Sequence, residues 1–231
     1  VNLMVLTAAV WPTWDIAMDK LWIFIDSCAK FGIAPYFYGT GHGFPGYIAM
    51  KLDMQLDHLL GVTDFTHVLY TDSWDAIFTA PLEEIIEKYK AMGSPPILSS
   101  AYFGLGNESN LEKYSGCFQE GLVYRYPNVG GYMAEIPAII EAFTRMNRDT
   151  GDDCFSWYDA WKEGWFRPEL DSNCEIFQVT DENAQMDPNG RLYNYVTSRN
   201  PCILHLCGGY TDPETGKDDR LKPWAEKLGI L

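Results

Sequence analysis

The chain has 231 residues, with 32 acidic side chains against 17 Lys and Arg, and its formal charge of −15 argues against a general polyanion-binding surface. Hydrophobic residues make up 47% and aromatics 15%, enough for a sizeable core and too many for a disordered chain. Apolar runs are broken by Asp, Lys or Pro well short of membrane-spanning length, so a soluble protein is expected, in the cytoplasm first and a secretory lumen second.

The run NLMVLTAAV (2–10) reads as a buried first strand, and its small terminal residues would let a ligand approach the backbone. Apolar positions at helical spacing follow over 14–31 and stop at Gly32. A second strand over 33–38 completes a β-α-β opening, hence a parallel sheet. Residues 39–46 hold four glycines and a proline and read as a loop, and a helix over 47–60 carries Lys51 in its first half. A strand over 67–71 leads into Asp72 and Asp75, and a helix over 81–91 opens on Pro81. The segment 96–101 is another strand, and 102–124 turns polar, Gly-rich and aromatic, as a long functional loop would. YPNVGGY (126–132) reads as a turn into a helix over 136–147, and 152–163 as an aromatic-rich helix with Asp152 and Asp153 at its start. Short strands are expected over 175–179 and 202–206. No repeat or long linker divides the chain, so residues 1–231 are expected to form one compact α/β domain.

The cysteines, Cys28, Cys117, Cys154, Cys174, Cys202 and Cys207, lack C-x-x-C spacing, which speaks against a structural zinc site or a thioredoxin-type pair. Buried thiols are the default, with one or two disulfides if the protein is secreted. The most informative stretch is HVLYTDSWD (67–75), an apolar strand that ends in two carboxylates. Open α/β sheets bind ligands at the carboxyl ends of their strands, and two acids placed there repel unless a cation lies between them. A divalent cation holding a phosphorylated substrate fits that spacing. An Asp-capped turn fits it as well.

Six pieces in order resemble a known family: VLYTDSWDAIF (68–78), ILSSAY (97–102), YRYPNVGGYMA (124–134), DDCFSWY (152–158), LDSNCEIFQ (170–178) and PCILHLCGG (201–209). They resemble the glycosyltransferase domain of procollagen lysyl hydroxylases and the related collagen glycosyltransferase-like proteins. The resemblance implies a GT-A (Rossmann-like) fold, with a mixed, mostly parallel sheet flanked by helices. It further implies a metal-dependent transfer of glucose or galactose from a UDP-sugar to a hydroxyl acceptor, hydroxylysine in a collagen-like chain or another polymer hydroxyl. The implied metal, Mn²⁺ or Mg²⁺, would be held by Asp72, Asp75 and His205. Thr7, Ala8, Lys51, Trp74, Asp72 and Gly208 would meet the nucleotide, with Trp74 near the nucleoside and Lys51 near the phosphate. Asp152, Asp153 and Asn128 would face the transferred sugar or the acceptor, and Asp171 is a further candidate.

After His205 the chain's Cys207-Gly208-Gly209 departs from the family's His-Gly-Asn-Gly, and Tyr102 stands where relatives tend to carry an acid. Tyr102, Phe103 and Trp157 would be exposed aromatics around the opening. Alternatives are a transferase acting on a hydroxymethylated DNA base, a sugar-binding GT-A-like module without turnover, and a metal-dependent phosphohydrolase. Nucleic acid is disfavoured by the charge unless Lys113, Arg125, Arg145 and Arg148 share one face. No membrane partner is expected.

Overall fold

In a computed structural model of the chain, residues 1–9, 14–40, 47–104, 113–114, 116–147, 150, 153–207 and 219–231 are described. Six strands form the main sheet in the order β2-β1-β3-β6-β5-β7. They are β1 (Leu3–Ala8), β2 (Tyr36–Tyr38), β3 (His67–Thr71), β5 (Ile97–Tyr102), β6 (Tyr126–Glu135) and β7 (Glu169–Leu170). Only β6 runs against its neighbours, pairing antiparallel with both β3 and β5, while β1–β2, β1–β3 and β5–β7 are parallel. A mostly parallel sheet flanked by helices is therefore what the chain builds.

Alternation along the strands sorts the core into two faces. Met4, Leu6, Val68, Tyr70, Tyr132 and Ala134 point one way, under α2 (Tyr47–Leu60), α4 (Ile136–Arg145) and α5 (Asp153–Lys162). Val5, Leu69, Leu98 and Met133 point the other way, toward α1 (Trp14–Lys30) and α3 (Leu82–Ala91). Val68, Leu69 and Tyr70 are each fully buried, so neither face of β3 meets water. Each aliphatic side chain so placed contributes about 1.5–3 kcal/mol.

A second sheet of three strands, β4-β11-β8, lies beside the first. Its members are β4 (Ala76–Phe78), β11 (Ile203–His205) and β8 (Phe177–Val179). A two-stranded ribbon, β9 (Ala184–Met186) with β10 (Leu192–Asn194), a turn of 3-10 helix (Asp219–Leu221) and a last helix, α6 (Lys222–Lys227), complete the described elements.

The structure corrects three readings of the sequence. Residues 126–132 are no turn: they open the ten-residue strand β6, buried along its length until Glu135. Its Pro, Asn and Gly-Gly mark an irregular strand instead. Opposite β5 the register jumps from Ser99↔Tyr132 to Ser100↔Asn128, leaving Val129, Gly130 and Gly131 as a bulge. The strand expected over 33–38 is formed only at Tyr36–Tyr38, after Pro35. Trp157 is 1% exposed and packs among Tyr132, Phe143 and Phe166, so it belongs to the core and not to an opening. All six cysteines are free thiols, with Cys28, Cys117, Cys174 and Cys202 buried and Cys154 and Cys207 half-buried.

Asp171, which the sequence motifs offered as a site candidate, has a structural task. It is fully buried and accepts the backbone N–H groups of Glu175, Ile176 and Phe177, each at 2.8 Å. Burial pushes its carboxyl up to about 6, with the three amides pulling the other way. It thereby fixes the chain entering β8. Replacing Asp171 with Ala leaves those amides unpaired and is expected to lower stability by about 3 kcal/mol in urea unfolding. A variant as stable as wild type would show that β8 is held some other way.

Candidate metal and donor site

Backbone pairing at the end of β3 brings the site together. Asp72 leaves the strand with its N–H bound to the Gly130 carbonyl at 2.9 Å. Four residues later β4 begins, and its antiparallel pairing with β11 sets His205 opposite Ala76. The Leu206 N–H donates to the Asp75 carbonyl at 2.7 Å, so Asp75 and His205 are neighbours through the backbone before their side chains meet. His205 Nε2 then lies 3.4 Å from Asp75 Oδ1 and 3.7 Å from Asp72 Oδ2. One ligand atom from each of the three lies within 4.8 Å of the others.

Donor atoms around a divalent cation sit about 2.0–2.2 Å from it, so this cluster has the dimensions of a coordination shell. Two carboxylates and an imidazole suit Mn²⁺ well and Mg²⁺ acceptably. A second observation agrees: a Cβ on Gly130 would stand 2.1 Å from His205 Cε1 and 2.8 Å from Asp72 Oδ2. The missing side chain makes the seat in which the imidazole and the carboxylate meet. Gly131 does the same for β8, since its Cβ would fall 2.9 Å from Phe177 Cδ1. Burial disfavours a charged His205, but Asp75 and Asp72 outweigh it and raise its pKa above the ordinary imidazole value.

Around this cluster Asp72 is oriented from behind. Its Oδ1 accepts the Tyr70 hydroxyl and lies 2.9 Å from Lys51 Nζ. Lys51 also reaches Asp153 Oδ2 at 2.7 Å. Lys51 and Asp153 are both buried, and isolating either charge would cost on the order of 3–5 kcal/mol. Lys51, which the resemblance put near a phosphate, thus stands between two acids.

Asn128 is buried on β6, with Oδ1 accepting the Gly130 N–H at 3.1 Å and Nδ2 donating to Cys207 Sγ at 3.2 Å. Burial and then Asp75 push the Cys207 thiol up to about 11. Thr7 is fully buried and spends its hydroxyl on the Thr71 carbonyl at 2.6 Å, tying β1 to β3. Ala8 lies at the strand end, where its carbonyl accepts the Ser73 hydroxyl at 2.5 Å. Trp74 packs partly buried against Ala9 and Leu21. Asp152 and Gly208, both expected in the site, lie outside the described residues.

Residues 2–212 match the family described as the PLOD GT domain. The chain belongs to the PLOD GT domain family. The procollagen-lysine,2-oxoglutarate 5-dioxygenase of Drosophila melanogaster is 28% identical over 152 residues, 61% of this chain. That stretch is 21% of the fly protein, so the chain spans about one fifth of its relative. A solved glycosyltransferase involved in glycosylation of the major capsid of PBCV-1 matches over 100% of both chains, with a TM-score of 0.55 and 10% identity. Protein A197 from STIV is similar over 74% of this chain and 80% of its own, at 12% identity and a TM-score of 0.38. This PLOD GT domain thus has a GT-A-like glycosyltransferase fold, as the sequence motifs implied.

Sequence reasoning missed three contributors: Gly130, the Tyr70 hydroxyl and the Cys207–Asn128 contact. The first left a signal, since glycine inside a strand pattern marks a bulge or a close approach of other atoms. Placing Ala at 130 is expected to drive His205 off Asp72 and abolish Mn²⁺ binding, read by titration calorimetry alongside a lowered melting temperature. Retained binding would show that the imidazole is not seated on Gly130.

Proposed function

We propose that this chain is a metal-dependent hexosyltransferase that moves glucose or galactose from a UDP-sugar to a hydroxyl group. The observation that carries the reading is the Asp72, Asp75 and His205 cluster at the carboxyl end of β3, seated on Gly130. Breaking a glycosyl–phosphate bond leaves a nucleoside diphosphate with growing negative charge. A divalent cation, when bound, stabilises that charge. The chain's own part is to hold the cation through Asp72, Asp75 and His205 and to receive the donor along the end of β1, at Thr7 and Ala8. Trp74 offers an indole face to the nucleoside. Asn128, with its amide fixed by Gly130 and Cys207, faces the transferred sugar. Asp153, together with Asp152, orients the acceptor hydroxyl or takes its proton. Residues 1–231 act as one domain in this reading.

The relative's name supports a lysine-derived hydroxyl in a collagen-like chain as the acceptor. A DNA acceptor finds less support, because the described basic candidates already have local partners. Lys113 lies 3.9 Å from Asp159, Arg125 stacks on Phe118 and Tyr126, and Arg145 pairs with Glu141 and covers Trp165.

The test is UDP release from a panel of UDP-sugars with Mn²⁺, with and without a hydroxylysine peptide. Wild type is expected to turn over one hexose donor, to stop with EDTA, and to lose about 10²-fold or more in the Asp75→Asn variant. Release equally fast without acceptor would favour a phosphohydrolase. No release despite UDP–Mn²⁺ binding, with every acceptor offered, would favour a sugar-binding module.

A further inference from the structure

The Lys51 ammonium lies 2.9 Å from Asp72 Oδ1, 2.7 Å from Asp153 Oδ2 and 5.1 Å from the centre of the Tyr70 ring. Asp72 therefore divides its carboxylate. One oxygen faces Lys51 and the Tyr70 hydroxyl, while the other faces His205 across the space left by Gly130. A cation on that second oxygen would be separated from the ammonium by a single carboxylate group, with Lys51 and His205 buried and Asp72 half-buried. Like charges so placed repel strongly, because little solvent screens them.

We propose that Lys51 is an internal counter-cation of the metal site that couples its occupancy to the placement of Asp153, a proposal that rests on Asp72, Asp75 and His205 holding a divalent cation. Before the cation binds, Lys51 neutralises Asp72 and keeps three acids, Asp72, Asp75 and Asp153, from repelling one another. When it binds, Asp72 turns its charge toward the metal and the ammonium shifts its weight to Asp153, at the first residue of α5. Holding Asp153 in place and binding the cation are then linked, and each favours the other. Lys51 acts as a positioning residue, through Asp72 and Asp153. A lysine that only contacted the donor's phosphates would leave metal affinity unchanged when no nucleotide is present.

The test measures Mn²⁺ binding without nucleotide, from the electron paramagnetic resonance signal of unbound Mn²⁺. Four proteins are compared: wild type, Lys51→Gln, Asp153→Asn and the double variant. Lys51→Gln removes the competing charge and is expected to bind Mn²⁺ about tenfold more tightly. Asp153→Asn leaves more of the ammonium's charge on Asp72 and is expected to bind about tenfold more weakly. In the Lys51→Gln background the Asp153→Asn change is expected to matter less than about twofold, a non-additivity that marks coupling through the lysine. If Lys51→Gln does not fold, the double variant decides, since it removes opposite charges together; it should bind more tightly than Asp153→Asn. Unchanged or weaker binding in Lys51→Gln, or additive effects, would overturn the proposal and leave the metal site standing. Failure of folded wild type to bind Mn²⁺ would overturn the metal site and the coupling with it.

Discussion

The site depends on a place where the main sheet carries no side chain. At Gly130 the backbone of β6 comes so close to the His205 ring that a Cβ would stand 2.1 Å from Cε1. One residue on, Gly131 leaves the same kind of room for Phe177. These two glycines are the seats on which the small sheet rests against the large one. The bulge that contains them also turns the Gly130 carbonyl to the Asp72 N–H. One local irregularity thus positions the first carboxylate, admits the histidine and leaves room for Phe177 of the small sheet. Ordinary strand geometry at 129–131 would have continued the ladder with β5 and closed the space.

Electrostatics imposes the second constraint. Asp72, Asp75 and Asp153 converge on one region, and within it the described positive partners are Lys51 and His205. Nearby cations stabilise such a cluster, because Asp153 is buried and Asp72 and Asp75 are half-buried, with reduced screening by water. Lys51 supplies one, while Asp75 and Asp72 keep the His205 pKa raised in spite of burial. The protein therefore tolerates an acidic pocket before any metal arrives, and a divalent cation would replace provisional positive charge.

The outline of the fold was legible because it follows from patterning. The apolar run at 67–71, the helical spacing at 14–31 and 47–60 and the proline opening at 81 each led to an element where expected. The strand β6 was misread because Pro127, Asn128, Gly130 and Gly131 are turn residues by local preference. What makes them a strand is the pairing partners on either side, β3 and β5, which no local window contains. The short strands β4, β7, β9 and β10 escaped for a related reason: two or three residues carry too little periodicity to register. Asp72 and Asp75 stood out at the end of an apolar strand, whereas His205 was named through resemblance, since spacing alone could not bring residue 205 to residue 75. Asp171 was misjudged because a buried carboxylate that caps three amides looks, in sequence, like any other acid beside an apolar run.

Site geometry and fold stability are joined through the small sheet. His205 stands in its central strand, held on one side by β4 and on the other by β8. The strand β8 is anchored at its start by Asp171 and at its end by the Thr180 N–H on the His205 carbonyl, 2.8 Å away. Thr79 ties β4 to the approach of β11 through its hydroxyl on the Pro201 carbonyl at 2.7 Å. None of these groups would touch a metal or a sugar, yet each sets where the imidazole sits. A ligand shell tolerates displacements of only a few tenths of an ångström. Losing an anchor well away from the three ligand groups would therefore impair the site before it unfolded the chain, so the small sheet is the structural support of the candidate metal site.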